Sequence, residues 1–132
     1  MPTNFLDDLN IAQKKAVEKT DGPVLIVAGP GSGKTRTITH RIAYLIENNK
    51  CSSENIIAMT FTNKAAQEMK SRLSLLIDSS SQNKINASTF HSFCARTLRI
   101  YGNHIKISSD FSIYDDLDQL DLIKQIIKEL DI

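Results

Sequence analysis

Residues 24–36 read VLIVAGPGSGKTR, and no other stretch of the chain narrows the possible folds as far. VLIVA (24–28) is a short, continuous and mostly β-branched apolar run, the composition of a parallel strand covered on both faces. GPGSG supplies a turn, and beyond Lys34 the residues Ile38, Ile42, Leu45 and Ile46 share one helical face. A buried strand that feeds a glycine-rich turn and opens a helix is the setting of a phosphate-binding loop. Gly31 and Gly33 let the backbone curl so that successive N–H groups point inward as an anion nest, and the helix N-terminus adds partial positive charge. Gly29, Gly31, Ser32, Gly33, Lys34 and Thr35 are therefore the candidate nucleotide-binding set. Lys34 reaches β- and γ-phosphate oxygens and Thr35 offers its hydroxyl to Mg²⁺, which makes these two the candidate catalytic residues. Ala28 stands where the motif has its first glycine; that position ends the strand and needs only a small residue. Pro30 has no N–H, so the nest uses amides that follow it. A glycine-rich turn with a surface lysine is the alternative, and the flanking strand and amphipathic helix argue against it.

The rest of the chain repeats the same rhythm. Asn10 caps a short helix through Ala16 and Val17; IIAMTF (56–61) is a second buried strand; Ala65, Ala66, Met69, Leu73 and Leu76 mark a helix capped by Thr62 or Asn63. DSSSQNK (78–84) reads as an exposed loop, INAS (85–88) as a third strand, and Thr89 as the cap of a helix that Gly102 terminates. Asp115 caps a last helix with Leu120, Ile123, Ile127 and Leu130 on one face. The expectation is an α/β domain with a parallel sheet of about three strands and flanking helices, of the P-loop NTPase (RecA-like) class, divided into 1–107 and 108–132. Charge follows that division: 14 Lys+Arg against 8 Asp+Glu in 1–107, and 2 against 7 in 108–132. No apolar run approaches the ~20 residues that span a bilayer, and the start lacks the layout of a secretory signal, so a cytoplasmic location without membrane contact is expected. Cys51 and Cys94 have no CxxC spacing and read as reduced thiols.

The loop AGPGSGKTRT resembles motif I of the UvrD/PcrA/Rep-type superfamily 1 DNA helicases. LNIAQKKAV (9–17), TFTNKAAQEMKSRL (60–73) and STFHSFCARTLR (88–99) resemble, in order, that family's Q motif, motif Ia and motif Ib. The tail FSIYDDLDQLDLIKQIIKEL resembles the start of its helical insertion, so the likeness covers nearly the whole chain. By this resemblance Gln13 reads the adenine of ATP, whose N7 and N6 edge suits an amide that both donates and accepts. Arg36 is implied to stack on the adenine ring. Phe61, Thr62 and Asn63, and Thr89 and His91 of the later motif, are implied contacts to single-stranded DNA, with Phe90 packing inward. Read without the resemblance, Gln13 and Arg36 are solvent-facing helix residues, Phe61 is core and His91 a capping or buried histidine.

The departures are as informative. No strand-borne Asp-Glu pair exists to hold Mg²⁺ and orient the attacking water; Asp115-Asp116 precedes a helix and does not qualify. The family's arginine fingers, its tyrosine on the far side of adenine and its second RecA-like domain are also missing. The expectation is the N-terminal part of an ATP-dependent 3′→5′ DNA helicase of repair or replication. Such a part binds Mg²⁺-ATP weakly and lacks efficient hydrolysis and unwinding. Its partners would be single-stranded DNA and the remaining helicase domains, with dimerisation through an open sheet edge as a further possibility. The alternatives are a stand-alone P-loop nucleotide-binding module and a small P-loop kinase.

Overall fold

Local capping chemistry defines most of the helices. In the computed structural model, which describes residues 6–131, the Asn10 side chain accepts from the Gln13 amide and starts α1 (Ile11–Glu18). Then come α2 (Lys34–Glu47), a 3-10 turn at Ser53–Asn55, β1 (Ile57–Thr60) and α3 (Asn63–Leu73), the last capped by Thr62. After α4 (Ser79–Lys84) and β2 (Asn86–Thr89), α5 (Phe90–Tyr101) begins without a break. A 3-10 turn at Gly102–Ile105 follows, and then α6 (Asp116–Glu129), capped by Asp115. The chain divides into two compact units, one reaching Phe93 and the other starting at Cys94.

The first unit is organised around a two-stranded parallel sheet in which Ala58 lies opposite Ala87 and Thr60 opposite Thr89. Both alanines are buried, and their small side chains let the covering helices approach closely. Ile42 and Ala43 of α2, Met69 and Leu73 of α3, and Ile56, Ile77 and Ile85 close over them as one cluster. The α3–α4 stretch is the crossover that a parallel pair requires. On the other face Ile57 and Met59 are exposed, so the full two-sided cover expected for 56–61 is not formed.

The largest correction concerns VLIVA. Residues 24–28 form no strand; Leu25 is 88% and Val27 87% exposed, and the sheet has two strands rather than three. An apolar run signals a demand for burial, but a strand exists only where a neighbour completes its hydrogen-bond ladder. Among the described residues β1 and β2 pair with each other, and 24–28 has no ladder partner. A second correction lies at 78–84, expected as loop. There the Asp78 carboxylate accepts from the Ser80 and Ser81 amides and starts α4. Hydrogen bonds from Ser80 and then Ser81 hold that carboxyl well below the usual carboxylate range.

The buried face of α2 also differs from the apolar stripe. Ile38 is exposed, whereas Thr37, Thr39 and His40 are buried with Ile42 and Ala43. The cause is that α1 as well as α3 packs against this helix, covering two of its sides. The buried polar groups are satisfied within the helix: Thr37 donates to the Gly33 carbonyl, Thr39 to those of Thr35 and Arg36, and His40 Nδ1 lies 2.8 Å from the Arg36 carbonyl.

In the second unit, Arg99 lies over the Phe111 ring, 5.3 Å from its centroid, and Ile107 donates its amide to the Gly102 carbonyl. A side chain at Gly102 would meet the Ile107 carbonyl oxygen at 2.9 Å, so a close backbone approach fixes this position as glycine. Replacing Leu73, which is fully buried where α3 meets the sheet, tests the core. We expect Leu73→Ala to cost about 2–5 kcal/mol in urea denaturation, with the m-value unchanged.

Candidate functional site

Helix α2 begins differently from every other α-helix among the described residues. Side chains close the first turns of α1, α3, α4 and α6, and Thr89 accepts from the Ser92 amide at the start of α5. At α2 the N-cap is Gly33, with φ 83°, and no side chain caps the helix. The first N–H groups of a helix have no acceptor in their own helix, and here they face the turn preceding it. That turn uses a second left-handed residue, Gly31 with φ 72°, and is closed by the Ser32 hydroxyl donating to the Gly29 carbonyl at 2.6 Å. A Cβ at Gly29 or Gly31 would meet nothing within 4 Å, so space is open beside the loop.

Two polar side chains frame this opening. The Lys34 ammonium donates to the carbonyls of Ala28 (3.1 Å) and Gly29 (2.8 Å), holding its charge across the start of the loop. Gln13 approaches from α1: its Nε2 donates to the Ser32 carbonyl at 3.0 Å, while its Oε1 accepts from the Asn10 amide at 3.1 Å. A carbonyl only accepts and an amide N–H only donates, so these two contacts fix which end of the Gln13 side chain is oxygen. One N–H and one oxygen lone pair remain for a ligand. Gly33 is tied to the same contact, because a Cβ there would lie 2.8 Å from Gln13 Nε2.

Gln13, Gly29, Ser32, Gly33 and Lys34 lie together through these contacts, with Gly31 in the same turn and Thr35 half-buried in the first turn of α2. Arg36 pairs with Asp8 at 3.5 Å, an exposed contact that the sequence reading did not include. Asp8 gave no signal, since an isolated surface carboxylate carries no pattern. No group of three or more His, Cys, Asp or Glu side chains among the described residues is placed to hold a metal ion.

The second group of candidates lies at the carboxyl end of the sheet. Phe61 follows β1 and is 97% exposed, which removes the core-packing alternative. Because Thr60 pairs with Thr89, the residues that follow, Phe61 and Phe90, leave the sheet at the same end. Phe90 is 61% exposed rather than packed, a correction that adds a second aromatic face beside the first. Asn63 and His91 are exposed in the opening turns of α3 and α5. The hydroxyls of Thr62 and Thr89 are engaged, Thr62 accepting from the Ala65 amide and Thr89 bonding Ser92, and Thr89 is itself buried.

A family model described as the UvrD/REP helicase N-terminal domain matches residues 9–132. The chain belongs to this family. It is similar to proteins named ATP-dependent DNA helicase PcrA. Identity is 51% to that of Bacillus subtilis over 125 residues, which is 95% of this chain and 17% of the relative. It is 48% to that of Staphylococcus aureus and 50% to that of Staphylococcus epidermidis, each over 94% of this chain and 17% of the relative. The chain thus spans about a sixth of the length of these relatives. None of the helices among the described residues is long and apolar enough to cross a membrane.

The glycine geometry separates two kinds of damage. Gly31→Ala and Gly33→Ala each force a left-handed backbone on an L-residue, costing about 1–2 kcal/mol. Only Gly33→Ala also collides with Gln13. We expect it to be the more destabilising in thermal unfolding, and Gln13→Ala in the same chain to recover the difference; equal costs with and without Gln13 would contradict that contact.

Proposed function

We propose that this chain is the ATP-binding and single-stranded-DNA-contacting part of an ATP-dependent 3′→5′ DNA helicase and translocase of cytoplasmic DNA repair or replication. The observation that carries this reading is the uncapped, glycine-turned start of α2 with Lys34 across it and Gln13 beside it. Family membership and relatives named as ATP-dependent DNA helicases support it. In this reading 1–107 is the start of a RecA-like domain and 108–132 the start of its helical insertion.

The amides from Gly31 to Thr35 would receive the phosphates, and Lys34 would give charge to the β- and γ-phosphate oxygens. Thr35 would ligate Mg²⁺. When bound, Mg²⁺-ATP supplies the phosphoanhydride bond whose cleavage drives such proteins. The free N–H and lone pair of Gln13 match N7 and N6–H of adenine, whereas guanine would set its O6 against Gln13 Oε1. Arg36 would leave Asp8 to lie on the base, an exchange that costs little because the ion pair is exposed. Hydrolysis would draw its acidic pair from sequence outside these residues. The exposed backbone of 24–28 and the sheet edges are where a further strand, or a second copy, would pair.

At the sheet end, Phe61 and Phe90 would stack on bases, and Asn63 and His91 would meet the sugar-phosphate backbone. Thr62 and Thr89 would contribute through the helix starts that they hold in place. Calorimetric titration of the chain with ATP and with single-stranded DNA tests both halves. Lys34→Ala is expected to weaken ATP by at least about tenfold while preserving the fold. Phe61→Ala is expected to weaken DNA by about 1–3 kcal/mol without changing ATP affinity in its absence. Unchanged ATP binding in the first variant, or unchanged DNA binding on removing both phenylalanines, would refute the corresponding half.

A further inference from the structure

Arg41 lies two turns into α2, away from the glycine turn, and its side chain runs to another helix. Its Nη1 donates to the Ala16 carbonyl at 2.7 Å and also to the Lys19 carbonyl. Both acceptors belong to the C-terminal end of α1, Lys19 being its C-cap. That end carries unpaired carbonyls and the negative pole of the helix, so a guanidinium is well matched to it. The contact spans 25 residues of sequence to Ala16 and 22 to Lys19.

Helix α1 has eight residues, too few to persist without tertiary support. Its ties to the rest of the unit include the buried Val17 at one level, Arg41 at its C-terminal end, and Gln13 on Ser32 near its start. Val17 supplies non-directional burial, which resists separation but permits sliding and rotation. Arg41 supplies direction, since one planar group meets two carbonyls at the helix end. Gln13 lies one turn before Ala16, so a rotation or slide of α1 moves its amide away from the Ser32 carbonyl and from the loop's opening.

From this geometry we infer that Arg41 is a positioning residue for base selectivity: it clamps α1 to α2 so that the Gln13 amide is held beside the phosphate loop in one orientation. The inference rests on the reading above that Gln13 faces the purine. Arg41 itself is set back two turns along α2 from the glycine turn, with its side chain on the carbonyls of α1. Removing it leaves the glycine turn, Lys34 and Thr35 intact and frees the part of the site that reads the base.

The test is binding of ATP, GTP and inorganic tripolyphosphate to the 132-residue chain and to Arg41→Ala, Arg41→Lys and Gln13→Ala. The wild type is expected to prefer ATP over GTP by about tenfold or more, and Gln13→Ala to lose that preference. Arg41→Ala is expected to lose it too, with tripolyphosphate affinity within about twofold of wild type, and Arg41→Lys to be intermediate, since an ammonium keeps the charge without the planar fork. Retained ATP preference in Arg41→Ala overturns the inference, as does an equal loss of all three ligands, which would mark a general structural role. Should Arg41→Ala fail to fold, Arg41→Lys decides, and a wild-type preference there overturns the inference. A wild type without ATP preference, or one that Gln13→Ala leaves unchanged, refutes the reading of Gln13 instead and removes the inference with it.

Discussion

The start of α2 is a helix end left without an internal solution. Its first N–H groups point into a turn made by two left-handed glycines, and no side chain satisfies them. Unpaired backbone donors are costly when buried and readily met by water when open, so the chain must keep this region exposed or give it an anion. The turn residues Gly29 to Ser32 are accordingly exposed. Lys34 fits the same logic, since its ammonium uses the carbonyls of Ala28 and Gly29 while the amides stay available.

A side chain from another helix borders the opening. Gln13 belongs to the capping box of α1 and also meets the glycine turn at Ser32, so the group that closes a helix start is held at that turn as well. Using one amide for both purposes links the geometry of α1 to that of the loop. It also explains Gly33: its left-handed φ satisfies the turn, and its missing side chain leaves room for Gln13 Nε2. Two demands on one residue make it far less replaceable than Gly31, which meets only the first.

The sequence was legible where structure depends on near neighbours and obscure where it depends on distant ones. Asn10 and Asp115 are readable as caps, and Thr62 as one of two candidates with Asn63, because a cap and its amide lie within three residues of each other. Asp78 follows the same rule, yet its serine-rich surroundings resembled a loop. VLIVA reads as a strand because it is apolar and β-branched, but pairing is a property of two segments, and none of the described residues pairs with it. Phe90 is obscure for a related reason: only the parallel register of β1 and β2 shows that it leaves the sheet at the same end as Phe61. Arg41 gave no signal at all, since an arginine within a helix ordinarily faces water, and its acceptors lie more than twenty residues earlier.

The two candidate surfaces have a common support. Phe61 emerges from β1 and precedes α3, which buries Met69 and Leu73 against the sheet. The same cluster holds Ile42 and Ala43 of α2, the helix that the glycine turn opens. A close-packed cluster transmits displacement because its members have few alternative arrangements. A change at the loop that turned α2 would therefore reach both α1 and α3, which pack against it, and through α3 the strand end that carries Phe61. The small residues Ala43, Ala58 and Ala87 bring these elements close together, and side chains that small leave little slack to absorb such a motion. Larger residues at those positions would hold the helices farther from the sheet, and with them the loop and the aromatic pair that each helps to orient.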